Sequence, residues 1–154
     1  MNSSLYSSSQ IALILLNGAV GGAVCVLVAH FLRRFTREVL AAVLILAAVF
    51  YISFAASAGA GPAWIVAEVL GVLLYGGMGV AGVRGSPWWL AAGWALHPIW
   101  DMALHYFGPG HAFAPESYAI ACLSWDWVVA GYVAYRITRS SRVALRPALR
   151  RSGA

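Results

Sequence analysis

The chain has 154 residues, 62% of them hydrophobic and 10% charged, with a formal net charge of +5. Soluble domains carry about 25% charged residues, so composition excludes an ordinary water-soluble core, and the length allows one domain. All the basic residues are arginines, confined to short segments between and after apolar runs. With no stacking or docking motif beside them, they point to a membrane surface and away from nucleic acid.

The first ten residues are rich in serine and lack the positive region of a secretory signal, so the apolar run after them reads as a retained helix. A helix needs about 20 apolar residues to cross a hydrocarbon core of roughly 30 Å. Five segments qualify: residues 11–32, 39–56, 63–83, 88–107 and 115–137. Gly and Pro mark their junctions, as in Gly61 and Pro62 or Gly108, Pro109 and Gly110. None of the runs alternates with the period of two expected of a membrane barrel. Gly18 and Gly22 form a GxxxG in the first segment, which permits close helix approach and also fits a chain simply rich in small residues.

Five spans place every arginine on one side. Arg33, Arg34 and Arg37 follow the first helix, Arg84 follows the third, and the rest lie from Arg136 onward. The excess of positive charge on cytoplasmic loops then puts the N-terminus outside and the C-terminus in the cytoplasm. The expected organisation is a short extracytoplasmic tail over residues 1–10, a membrane domain over 11–138 and a basic cytoplasmic tail over 139–154, a mobile segment held near anionic headgroups or else a short interfacial helix. Trp88 and Trp89 fit an aromatic belt at the inner boundary, and Trp64, Tyr106 and Tyr118 fit one at the outer boundary. Cys25 and Cys122 lie inside apolar runs, which argues against a disulfide framework.

Three acids fall within predicted spans: Glu68, Asp101 and Asp126. An Asp near a helix centre costs roughly 2.5–3.5 kcal/mol on insertion, so such residues face a bundle interior and mark function. The fourth segment holds His97, Asp101 and His105, an H-x3-D-x3-H pattern whose members turn by only about 40° from one to the next. Pro98 removes a backbone donor just after His97. Counting about 1.5 Å per residue puts Glu68 and Asp101 roughly 9 Å below the outer surface, and His97 and Asp126 roughly 15 Å below it. His97 and His105 are about 12 Å apart along the axis, too far for one ion to engage both without strain. A single site would use His97 and Asp101, or Asp101 and His105, completed by Glu68 or Asp126. These donors suit zinc or iron with one coordination position left open. The same residues would also serve as a hydrogen-bonded network locking three helices, or as a proton pathway.

Gly93, Trp94, Ala95, Leu96 and His97, followed by Trp100, Asp101, His105, Phe113, Ala114, Pro115, Ser117, Cys122 and Asp126, resemble the C-terminal half of a bacterial integral-membrane family, the domain of unknown function 6010. Glu68, shortly after Gly61, Pro62 and Trp64, also falls where that family tends to place a glutamate. The resemblance spans residues 61–133. The chain has Leu104 and His105 where the family often pairs histidines, and Trp125 and Asp126 where it often has Cys and Asp. The resemblance implies a membrane protein and implies no reaction.

These readings predict an all-α bundle of five transmembrane helices in a bacterial cytoplasmic membrane. The expected function is a metal-dependent enzyme acting on a lipid or other hydrophobic substrate from the outer leaflet. His97, Asp101 and His105 are the expected ligands, and Glu68 and Asp126 the expected catalytic carboxylates. A proton-coupled carrier and a non-catalytic scaffold are the rival expectations.

Overall fold

The computed structural model of the chain describes residues 6–151, with side chains through residue 142. Within that range the fold is all-helical. Helix α1 (Ser8–Phe31) leads through a short 3-10 turn (Arg33–Phe35) into α2 (Thr36–Ser57). Helices α3 (Pro62–Arg84) and α4 (Trp88–Asp101) follow. Without a break, α4 widens into a π turn (Met102–Tyr106), and a 3-10 turn (Pro109–Ala112) precedes α5 (Glu116–Arg151).

Local chemistry accounts for several boundaries. The Ser7 hydroxyl accepts from the Gln10 backbone N–H, and the Gln10 side chain accepts from the Ser7 N–H at 2.8 Å, so a capping box opens α1. Gly59, at φ 67°, makes the left-handed turn between α2 and α3, and Pro62 occupies the first turn of α3, where its missing donor costs nothing. Glu116 places a carboxylate in the first turn of α5, near the positive end of its dipole.

Packing around the bundle runs α1 against α5, α5 against α4, α4 against α3, and α3 against α2, with a looser seam between α2 and α1. The burial pattern is that of a protein dissolved in lipid. Helix α1 buries only Gly18, Gly22, Cys25 and Ala29, one stripe of small residues, while Leu13, Leu16 and Val20 stay more than half exposed. In a bilayer large apolar side chains gain nothing by leaving lipid, and small ones let backbones approach. A methyl group on Gly22 would lie 2.7 Å from the Trp125 carbonyl oxygen, and one on Gly18 would overlap that of Ala121. The glycine pair is therefore the α1–α5 contact itself.

Three helical segments are long and apolar enough to cross a membrane: Ser8–Phe31, Arg33–Ser57 and Pro62–Arg84. The five expected helices are present, but α4 is α-helical for only 14 residues before its π turn, and α5 runs 36 residues from an apolar half into a basic one. The basic segment, expected to be a mobile tail from residue 139, continues α5 as far as Arg151. Two of the residues expected in an outer aromatic belt, Trp64 and Tyr118, are half-buried and also contact the bundle. Trp64 packs edge-on to Phe113 at 5.0 Å, and the Tyr118 hydroxyl donates to the Ala47 carbonyl at 3.3 Å. Trp88 and Trp89 remain half exposed at the start of α4. Both cysteines are free and buried.

Candidate metal centre

The polar side chains on α4 all face the interior. His97, Asp101 and His105 are at most 1% exposed, as is Asp126 from α5, and Glu68 from α3 is 2% exposed. The glycines and alanines of α3 and α4 help to bring these backbones close. Gly71 meets the Trp100 ring at 3.5 Å, and Gly93 admits Leu44 and Met78. Around Pro98, which offers no N–H, neighbouring carbonyls are held from other helices. The Tyr75 hydroxyl donates to the Leu96 carbonyl at 3.3 Å, and the Trp127 indole N–H donates to that of Ala95 at 3.4 Å.

His97 is the hub. Its Nδ1 lies 2.8 Å from Asp126 Oδ2 and 3.4 Å from Asp101 Oδ2, so α4 and α5 are joined through one imidazole. An N–H is required at Nδ1 to donate to the Asp126 carboxylate. One donor atom each from His97, Asp101 and Asp126 lies within 4.8 Å of the other two, a spacing that can enclose a metal ion. Both Asp101 carboxylate oxygens and Asp126 Oδ1 are buried without a hydrogen-bond partner. Buried carboxylate oxygens are costly unless paired or bound to a cation. One imidazole and two carboxylates form a donor set that fits a divalent transition ion.

His105 and Glu68 form a second, neighbouring pair. His105 Nε2 lies 3.6 Å from Glu68 Oε2, beyond hydrogen-bonding distance, and both His105 nitrogens and Glu68 Oε1 are buried without partners. His105 lies eight residues beyond His97 along the axis, inside the π turn, and so meets Glu68 and not the triad. Glycines keep this region compact. A side chain on Gly110 would strike His105 Nδ1 at 2.6 Å, and one on Gly108 would strike the Leu104 carbonyl at 2.8 Å.

Aromatic rings join the two clusters, and sequence reasoning missed them. Tyr51 of α2 stacks on His105 with centroids 3.9 Å apart and planes at 16°, and its ring lies 6.4 Å from His97. Tyr75 of α3 meets His97 edge-on at 4.9 Å. A tyrosine inside an apolar run is indistinguishable by composition from one that packs against lipid, so no sequence signal marked either. The other two histidines lie elsewhere. His111 is exposed and donates to the Gly108 carbonyl at 2.8 Å, and His30, near the arginine-rich end, contacts the Tyr132 hydroxyl at 3.2 Å.

A crevice of about 390 Å³ opens in the loose seam between α1 and α2 and is backed by α5. Phe50, Tyr118, Cys122 and Trp125 line it, and Asp126 lies at its inner wall. Of the ligand-capable triad, Asp126 alone lines this crevice, whose walls are almost wholly apolar.

Comparison with curated proteins and with solved structures finds no match. The family of unknown function DUF6010 matches residues 13–140, well beyond the 61–133 over which the resemblance was legible. The match takes in α1 and α2, and with them Tyr51 and the walls of the crevice. The chain, most of whose length is covered, belongs to the DUF6010 family.

Proposed function

We propose that this protein is a membrane-embedded, metal-dependent enzyme acting on a lipid or other hydrophobic substrate. The observation that carries the reading is the convergence of His97, Asp101 and Asp126 in a buried interior, with Asp101 Oδ1 and Asp126 Oδ1 left without a hydrogen-bond partner. These three residues would hold the ion, and a divalent zinc or iron ion there supplies a Lewis acid to a substrate carbonyl or phosphoryl oxygen. Glu68 and His105, a step away, are placed to move a proton to or from a reacting group. Tyr51 fixes the His105 ring by stacking, and the apolar crevice between α1 and α2 admits a hydrocarbon chain and excludes bulk water.

The bundle is read as five spans with the N-terminus outside and the C-terminal basic segment in the cytoplasm. Helix α4 with its π turn covers about 28 Å, enough for a hydrocarbon core. Arginines from the α1–α2 connection and from α5 gather at one end. Reporter domains fused to each terminus should report opposite sides of the membrane. A C-terminal reporter found outside would reverse the orientation, and two termini on one side would remove a span.

A second reading is favoured by the 2.8 Å His97–Asp126 contact, which by itself can lock α4 to α5 as a structural network without any ion. Metal content separates the two. Protein purified without chelators should carry about one divalent ion per chain, and Asp101→Ala should stay folded and lose it. Wild type that remains metal-free even when offered zinc and ferrous iron, with Asp101→Ala lowering only the melting temperature, would establish the network instead.

A further inference from the structure

The second concentration of function-bearing side chains lies at the opposite end of the bundle. A cavity of about 460 Å³ is rimmed by Arg33, Arg34, Arg37 and Arg136, with Glu38 the one acid among its lining residues. Among the described residues, none of these arginines lies within 4.0 Å of a carboxylate. Unpaired guanidinium groups gathered on one cavity leave a strong positive potential with no internal counter-charge.

Parts of this rim are built in place. Arg136 Nη1 donates to Thr36 Oγ1 at 3.1 Å and to the Tyr132 hydroxyl at 3.3 Å, and its guanidinium lies 5.8 Å from the Tyr132 ring. Thr36 is buried and donates in turn to the Ala29 carbonyl at 3.0 Å, so the chain of contacts ties α5 to α1 and α2. Among the described residues only Nη1 of Arg136 is engaged in hydrogen bonds, leaving donors on the rest of the fork. Thr36 also begins α2, whose first turn adds partial positive charge. Beneath the arginines, Leu40, Val83, Leu90 and Val133 make an apolar floor.

We propose that this cavity binds the phosphate of an anionic membrane lipid, with the arginines on the headgroup and the apolar floor against its first methylenes. A planar guanidinium fork matches phosphate oxygens bidentately. Basic pockets between membrane helices suit such headgroups. A soluble phosphate would use the same arginines without the floor, which is why the floor decides for a lipid. This site is independent of the metal centre and of any reaction there.

The test titrates full-length protein in neutral detergent with short-chain phosphatidylglycerol, short-chain phosphatidylcholine or inorganic phosphate, reading tryptophan fluorescence and melting temperature. Saturable binding of phosphatidylglycerol is expected, about tenfold or more tighter than phosphatidylcholine and tighter than phosphate. Arg37→Gln combined with Arg136→Gln should weaken it at least about tenfold, and Arg136→Lys should lose part of it by keeping charge without the fork. If the double variant does not fold, Arg33→Gln with Arg34→Gln, on the exposed rim, gives the same reading. Replacing Arg142 by glutamine should leave binding within about threefold, since Arg142 is not among the described residues that line the cavity. Equal binding of both lipids, binding unmoved by the rim variants, or loss only with the Arg142 variant would overturn the site. Phosphate binding as tight as phosphatidylglycerol would overturn the lipid assignment and leave a site for a soluble anion.

Discussion

Asp126→Ala is expected to lower divalent-metal affinity by about 100-fold or more, whereas His105→Ala should cost no more than about tenfold. The magnitudes follow from position, since removing a hydrogen-bonded partner of a ligand typically costs 10–100-fold, removing a ligand costs more, and His105 is neither. Asp126 Oδ2 stands 2.8 Å from His97 Nδ1 and belongs to the compact triad, while His105 is paired instead with Glu68. Asp126→Asn refines the comparison, because an amide keeps the volume and one acceptor oxygen but loses the charge. Competition titration against a metal indicator, with melting curves on the same preparations, gives the affinities. If His105→Ala strips the ion as thoroughly as Asp126→Ala, the ion is held further along α4 and the triad is not its site.

That contrast marks what could and could not be read from the residues alone. The helices were legible because apolar runs of about 20 residues leave few other options. Glu68, His97, Asp101, His105 and Asp126 were legible as interior residues because lipid exposure of ionisable groups is so costly. Their grouping was legible in part: His97 and Asp101 completed by Asp126 was one of the expected ligand sets, but nothing in the sequence chose it over Asp101 with His105 or showed Tyr51 stacked on His105. The π turn that carries His105 packs against the Pro109–Ala112 segment and α5, which no local pattern encodes. The contacts that Trp64 makes with His105 and Tyr118 with Ala47 likewise depend on which neighbour arrives, which no local pattern encodes.

Gly18→Leu is expected to be the most damaging single change in the apolar part of the chain, lowering stability by about 3 kcal/mol or more. Even one added carbon at this position overlaps the backbone of Ala121 and the Ser124 hydroxyl, and neither can yield by changing a rotamer of a long side chain. The Ser124 hydroxyl also donates to the Leu15 carbonyl at 2.7 Å, so separating the helices breaks a hydrogen bond in a medium without water to replace it. Helix α1 seats on α5 largely through small residues, since Leu13, Leu16 and Val20 are more than half exposed and its buried stripe is Gly18, Gly22, Cys25 and Ala29. Displacing α1 would also remove one wall of the crevice beside Asp126. Gly77→Ala serves as the control, since nothing lies within 4 Å of a carbon added there and a helical alanine is favoured over glycine by about 1 kcal/mol. Melting curves in the same detergent should show Gly77→Ala at or above wild type and Gly18→Leu far below it or absent from the folded fraction. Equal melting temperatures for Gly18→Leu and wild type would mean that α1 is not seated on α5 through its glycines.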